Sequence, residues 1–434
     1  MDVRRTAGRK PLVDAAPGGS MDTSRVKARE RDAADPLAAC ADRFDPPGCY
    51  MDGNSLGPIS EDALDGIERV REEWRTLAIE GWTGGDPPWF GYAERLGDRL
   101  AGLLGTEPGT CVVANSTTVN IHALVDTFLE DGSIVVDDLD FPSDHYALRA
   151  QLRRRGLDPA DHLVVVESRD GRTIEADDVV AALDDEVEIL FLPSVLYRSG
   201  QLLDVERLTA AAHDHGALAG FDLAHSVGVV DHALDAAGVD FAVWCHYKYC
   251  NAGPGAPAGL YVHERHFDHR PALPGWWGHE KETQFQMNLE FTPAADAGAF
   301  QIGTPPILAM APLSGALDVI EAAGIGAIRE KSLALTDYLI QLVDELLPEC
   351  SVGTPRTPAR RGGHVAVEHP EAESISAALK RREVVVDYRP PNVVRVCPSP
   401  LYTGFEDVHR AVTGLRAVLD EDAHESVDVD ADVT

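Results

Sequence analysis

The chain has 434 residues and carries 38 Lys plus Arg against 72 Asp plus Glu, a formal net charge of −34. A chain of this length buries a substantial core and suits one large domain with a smaller one beside it. So strong an acidic balance excludes nucleic acid and anionic membrane as partners, since both would repel it.

Residues 1–35 begin MDVRRTAGRK with no hydrophobic stretch behind, so no signal peptide is expected; they read as a disordered leader, with Met21 as an alternative start. Residues 36–60 form an N-terminal segment expected to join the small domain and the active site. From about residue 60 helix-like and strand-like segments alternate. EDALDGIERVREEWRTLAIEG predicts an amphipathic helix closing at glycine. GTCVVANST predicts a short strand and a turn, after which TVNIHALVDTFLE resumes helical spacing. SIVVDD, HLVVVES, VEILFLPSV, ALAGFDLA and FAVWCHYK are apolar runs of strand length, most of them separated by helical stretches. They predict a mainly parallel sheet covered on both faces, in a large domain over 61–310.

After Pro305 and Pro306, ILAMAPLSGALDVIEAAG and IREKSLALTDYLIQLVDELLP predict a connecting helix and the start of a smaller α+β domain over 311–420. HVAVEH, VVVDYR and VVRVCP supply its strands. Residues 421–434 are an acidic tail expected to be solvated and disordered. The expected fold class is therefore α/β. No apolar run reaches about 18 residues, so no transmembrane helix is expected. The seven cysteines are too irregularly spaced for a disulfide scaffold, and Cys245 and Cys250 lack a second pair to complete a zinc site. Free thiols and no metal are expected, and His213 and His215 read as a helix end. Acidic residues are spread along the chain and Arg replaces Lys, which occurs only six times. This is the pattern of a surface whose self-repulsion is screened by high salt, and it predicts a halophilic cytoplasmic protein.

Active sites of parallel sheets form at the carboxyl ends of the strands, and the chemically informative residues follow the apolar runs. Ser116, Thr117 and Thr118 open a helix and read either as an ordinary N-cap or as a phosphate cradle. Phe141 and Asp144, in FPSD, read either as a packed loop or as an aromatic face for a planar ring with a carboxylate behind it. Asp222 ends a strand, with His225 three residues on. Lys248 lies among aromatics, where a lysine loses charge stabilisation and becomes a better nucleophile. Asp222 and Lys248 together suggest a Schiff-base lysine holding pyridoxal phosphate, with the carboxylate facing the pyridinium nitrogen. Trp276 and Trp277 read either as phosphate donors or as an aromatic plug at a contact. Arg395, in an apolar strand, needs an anion: a structural ion pair or a substrate carboxylate.

These residues fall in an ordered series: DGNSLG (52–57), STTVN (116–120), FPSD (141–144), DLAHS (222–226), HYKY (246–249), PGWWGH (274–279), GTPPI (303–307) and VRVCPSPLY (394–402). Over about residues 45–420 the chain resembles the kynureninase family, within the fold type I, class V-like pyridoxal phosphate enzymes. The resemblance implies hydrolysis of L-kynurenine, or its 3-hydroxy form, to anthranilate or 3-hydroxyanthranilate and L-alanine. It places the chain in tryptophan catabolism, with kynurenine as its small-molecule partner and a homodimer as its assembly. It implies that Lys248 anchors the cofactor and shuttles a proton at the α-carbon, that Asp222 pairs with the pyridinium nitrogen, and that Phe141 stacks on the ring. By the same resemblance Thr117, Thr118, Tyr247, Trp276, His225 and Thr304 surround the phosphate, and Asp144 supports the ring. Arg395 and Ser55 meet the substrate, and Tyr247 also supplies a proton to the alanine carbon. Thr304 stands where some relatives carry Asn, and Ser194 is left out of the phosphate shell. A cysteine desulfurase, the alternative within the same class, would need a cysteine in a mobile Gly/Ser-rich loop, and neither Cys350 nor Cys397 sits in one.

Overall fold

The computed structural model describes residues 22–427. The first strand, β1 (Cys49–Tyr50), is separated in sequence from the sheet it serves, which belongs to the C-terminal part of the chain. Seven strands then build the main sheet: β2 (Cys111–Val113), β3 (Ser133–Asp137), β4 (Leu163–Val166), β5 (Val187–Pro193), β6 (Leu218–Asp222), β7 (Phe241–Trp244) and β8 (Gly259–Val262). Their order across the sheet is β2-β8-β7-β6-β5-β3-β4. Strands β3 to β7 pair in parallel, whereas β8 runs antiparallel to both of its neighbours. The sheet is thus mainly parallel, as expected, with one reversed strand. GLYV did not stand out as a strand because the run is four residues long and follows a Gly/Pro-rich loop.

The central strands are buried along nearly their whole length, which is why their sequences are apolar without alternation. Phe128, Phe191 and Phe241 stack through the core, with ring centroids 5.4 and 6.1 Å apart. The amphipathic helix Glu61–Leu77 is capped by Ser60, whose Oγ accepts the Ala63 N–H at 3.1 Å. It packs on the helix Ile307–Ala323 at very short range. A Cβ on Gly315 would lie 1.9 Å from the Asp62 carbonyl oxygen, so only glycine admits this approach.

Strands β9 (Ser351–Val352), β10 (Val365–Glu368), β12 (Asp387–Arg389) and β13 (Val393–Val396) form a four-stranded antiparallel sheet in the order β12-β13-β10-β9. Strand β11 (Val384–Val385) pairs in parallel with β1. The two main apolar cores part between Ile328 and Leu335, inside the helix Ile325–Leu346, rather than at the expected 310–311 boundary. That helix belongs to both.

The expectation of disorder over 1–35 fails for its last part, while residues 1–21 lie outside the described residues. Arg25–Ala33 is a helix docked on the C-terminal helix Phe405–Asp420. Asp32 caps that helix, accepting the Phe405 and Glu406 N–H groups at 2.6 and 2.9 Å. Arg31 lies over the rings of Tyr338 and Phe405 at 5.1 and 5.2 Å. Asp35 forms a buried ion pair with Lys331 at 2.6 Å. Only Ala28 of the helix is buried, so its stability comes from these distant partners and leaves no apolar stripe to read. Within the acidic tail, Ala423–Ser426 form one 3-10 turn, and residues 428–434 lie outside the described residues. Among the described residues no single helix is long and apolar enough to cross a membrane, and all seven cysteines are free.

Candidate active site

Because β8 is reversed against both β7 and β2, strand β2 points the same way as β3 to β7. The turns that follow β2, β3, β5, β6 and β7 therefore open on one edge of the sheet. Asp222 is the last residue of β6, and its Oδ1 accepts the Ala224 N–H at 2.6 Å. His225, also buried, places Nε2 2.8 Å from Lys248 Nζ. Strand β7 ends at Trp244, so the run FAVWCHYK leaves the sheet before the lysine. The DGNSLG turn pins that exit: the Gly57 N–H donates to the Tyr247 carbonyl at 2.7 Å. A Cβ on Gly57 would lie 2.2 Å from Asn251 Oδ1 and 2.4 Å from the Lys248 carbonyl oxygen, so the motif needs glycine there. Phe141 follows β3, and its ring, 47% exposed, shares a small cleft with Asp222 and His225. Tyr197 stands edge-on to it at 5.4 Å. Asp144, in the first turn of the helix Pro142–Arg154, is buried close enough to Asp222 for that carboxyl to push its own upward.

Burial raises the Asp222 carboxyl above its ordinary range, while the Lys248 charge and the Ala224 N–H pull it back. Asp140 and Asp144 are pushed well above that range by burial and by neighbouring carboxyls, with no cation opposing. Of the three, Asp222 is the one suited to stay charged. His225 is held well below its ordinary value by burial and then by the charges of Lys248 and Arg395. A neutral ring follows, able to accept from the Lys248 amine. His225 refuses a proton below its ordinary range, so its linkage costs stability as pH falls, whereas the raised carboxyls keep theirs and cost stability as pH rises; the two linkages have opposite sign.

The second half of the site centres on Arg395, which is 1% exposed. Its Nε donates to Asp387 Oδ1 at 3.0 Å, one terminal nitrogen donates to the Tyr197 carbonyl at 2.7 Å, and the other to Ser55 Oγ at 2.8 Å and to Asp387 Oδ2. Arg389 donates to the same Asp387 oxygen at 2.7 Å. The ion-pair reading of Arg395 is therefore realised, and the same guanidinium holds the carbonyl of Tyr197, a residue that lines the cleft of Asp222 and His225. His364 is buried between the halves, its ring edge-on to His225 at 5.7 Å.

Thr117 and Thr118 form the first turn of the helix Thr117–Phe128, and the Ser116 side chain makes no capping hydrogen bond. The N-cap reading is thus not realised by Ser116, and the helix N-terminus stays open to an anion. Tyr247 is half-buried, and burial with its neighbour Cys245 keeps its hydroxyl protonated. Ser194 is engaged elsewhere, with its Oγ 2.7 Å from Ser226 Oγ. Trp276 is 40% exposed and Thr304 is exposed, on adjoining segments that meet where Gly275 packs on the Ile302 carbonyl. Among the described residues no hydrogen bond or ring contact joins either to Lys248. Sequence reasoning brought out neither Asp387, Arg389, Tyr197 nor His364. Asp387 and Arg389 alternate inside VVVDYR, a charge pattern that could have marked them; His364 and Tyr197 carry no local signal.

The fold is that of the class V-like, fold type I pyridoxal phosphate enzymes. A cysteine desulfurase from Escherichia coli matches it with a TM-score of 0.76 over 89% of this chain and 98% of its own, at 16% identity. One from Thermococcus onnurineus does so at 0.74 over 86% and 95%, at 19% identity. Sequence narrows the class, and the chain belongs to the kynureninase family. It is 47% identical to the kynureninase of Geobacillus thermodenitrificans over 402 residues, covering 91% of this chain and 94% of the relative. It is 44% identical to that of Shouchella clausii over 414 residues, covering 94% and 97%. Residues 328–415 match the kynureninase C-terminal domain.

Proposed function

We propose that this chain hydrolyses L-kynurenine to anthranilate and L-alanine with pyridoxal phosphate as cofactor. What carries the reading is the meeting of Lys248, Asp222 and His225 at one sheet edge, in a chain 47% identical to a curated kynureninase. The donor set fits the cofactor. A lysine amine suits its aldehyde, a buried carboxylate its ring nitrogen, an exposed aromatic its ring face and an open helix N-terminus its phosphate. The His225 Nδ1, buried without a partner among the described residues, adds a further polar atom for it.

Bound pyridoxal phosphate supplies an electron-withdrawing ring that stabilises negative charge beside the amino-acid nitrogen. Lys248 anchors the group and moves a proton at the α-carbon. Asp222 keeps the ring nitrogen protonated, with Asp144 behind it, and Phe141 covers the ring. Thr117, Thr118, Tyr247, His225, Trp276 and Thr304 hold the phosphate. Arg395 and Ser55 orient the substrate carboxylate. Water adds to the γ-carbonyl, the Cβ–Cγ bond breaks, and Cβ takes a proton from the Tyr247 hydroxyl. The aryl fragment leaves as anthranilate.

The desulfurase alternative is not favoured. Cys397 is fully buried and donates to the Tyr249 hydroxyl at 3.4 Å, and burial pushes its thiol up to about 12. Cys350 is pushed up to about 11 by burial. The purified protein, supplied with cofactor and L-kynurenine, is expected to release fluorescent anthranilate; a cofactor-loaded protein that releases none would refute the substrate.

Two properties of the surface belong to the same reading. Trp74, Ile79 and Leu308 are exposed around an apolar groove, and Trp276 and Thr304 are exposed with no hydrogen bond or ring contact to Lys248 among the described residues. A homodimer in which the second copy brings Trp276 and Thr304 to this pocket accounts for both. The net charge of −34 supports a cytoplasm of high salt. The thermal midpoint is expected to rise between about 0.1 M and about 1 M potassium chloride, as the screening length shrinks from ~10 to ~3 Å. A midpoint independent of salt would remove the salt adaptation.

A further inference from the structure

His364 is wholly buried, and neither ring nitrogen has a hydrogen-bond partner among the described residues. Two unpaired polar atoms on one buried imidazole are costly in a low-dielectric interior and call for a ligand. The ring is firmly placed. It immediately precedes β10, where Ala366 pairs with Arg395, and it stands edge-on to His225 at 5.7 Å. Gly200, at φ +73°, packs against it; a Cβ there would lie 2.6 Å from the His364 carbonyl oxygen and 3.2 Å from Nε2. Burial, then Arg395 and Lys248, hold the ring neutral against a weaker upward pull from the Tyr197 backbone, which lies near the ring without making a well-formed hydrogen bond. A neutral imidazole among cations is suited to donate to an anion that those cations attract.

Arg395 has little left to give such an anion. A guanidinium carries five N–H donors. Asp387 takes Nε, the Tyr197 carbonyl takes one donor, and Ser55 and Asp387 take two more, which leaves one. A carboxylate accepts several hydrogen bonds, so a second donor beside Arg395 is needed to fix it. Building on the kynureninase reading, we propose that His364 is a substrate-binding residue whose ring N–H donates to the α-carboxylate that Arg395 holds through its remaining donor.

The test compares cofactor-loaded wild type with His364→Met, which removes the donor at similar size, and His364→Gln, which keeps one. Each is titrated, by the visible absorbance of the cofactor, with the product L-alanine and with the decarboxylated amine of kynurenine. His364→Met is expected to weaken L-alanine binding about 10- to 100-fold and to leave the amine unchanged, because a hydrogen bond to a charged group is lost only with the carboxylate ligand. His364→Gln is expected to recover most of the loss. Equal weakening of both ligands, or of neither, would overturn the proposal. The cofactor absorbance of each ligand-free variant shows that it folds. Wild-type anthranilate release tests the kynureninase reading separately, since the comparison of the two ligands does not depend on turnover.

Discussion

Replacing Lys248 with Ala is expected to lower anthranilate release by ~10³-fold or more, about 4 kcal/mol of transition-state stabilisation. The same change is expected to strip the cofactor during dialysis. The reasoning is local. Lys248 Nζ meets His225 Nε2 at 2.8 Å and lies close enough to Asp222 to lower its carboxyl against the upward push of burial. Among the other described lysines, Lys281 pairs with Glu94, Lys331 with Asp35 and Lys27 with Glu30, while Lys380 is exposed at the end of the helix Ala372–Lys380; of the described lysines only Lys248 acts on the Asp222 carboxyl. Rate and dialysis-resistant visible absorbance are measured on the same preparations. A variant that keeps both would show that Lys248 is not the anchor.

Asp387→Ala carries the largest expected effect on stability, a loss of about 3–5 kcal/mol, because it leaves a buried guanidinium uncompensated. Asp387 faces Arg395 across β12 and β13 and accepts from Arg389 as well, so its removal also sets two cations against each other. The double variant Asp387→Ala with Arg395→Met is expected to recover much of the loss, since the isolated charge is then gone. Denaturant unfolding of the three proteins measures both effects. A single variant that costs under ~1 kcal/mol, the range of an exposed pair, would contradict the buried ion-pair assignment.

The large sheet was legible because β3, β5, β6 and β7 are buried on both faces and so read as uninterrupted apolar runs, and the partly buried edge strand β4 is apolar as well. Strand β8 is four residues long behind a Gly/Pro-rich loop, and its reversed direction leaves no mark in its composition. The docked helix Arg25–Ala33 was hidden for a different reason: its partners, Phe405, Tyr338 and Lys331, lie more than 290 residues away in sequence. In the site, Asp222, His225 and Lys248 were legible because each interrupts an apolar or aromatic run at a strand end. Asp387 and His364 were not, because their importance lies in what they face, Arg395 and His225, and pairing across strands is invisible along the chain. Trp276 and Thr304 are legible as motifs, yet both are exposed, and among the described residues no hydrogen bond or ring contact joins them to the lysine.

The hydrolytic cleavage itself is tested most directly by running the reaction in ¹⁸O-labelled water and analysing both products by mass spectrometry. Equimolar alanine and anthranilate are expected, with solvent oxygen in the anthranilate carboxylate, because water attacks the γ-carbonyl before the Cβ–Cγ bond breaks. A keto acid that retains the whole kynurenine skeleton, or anthranilate without solvent oxygen, would contradict it.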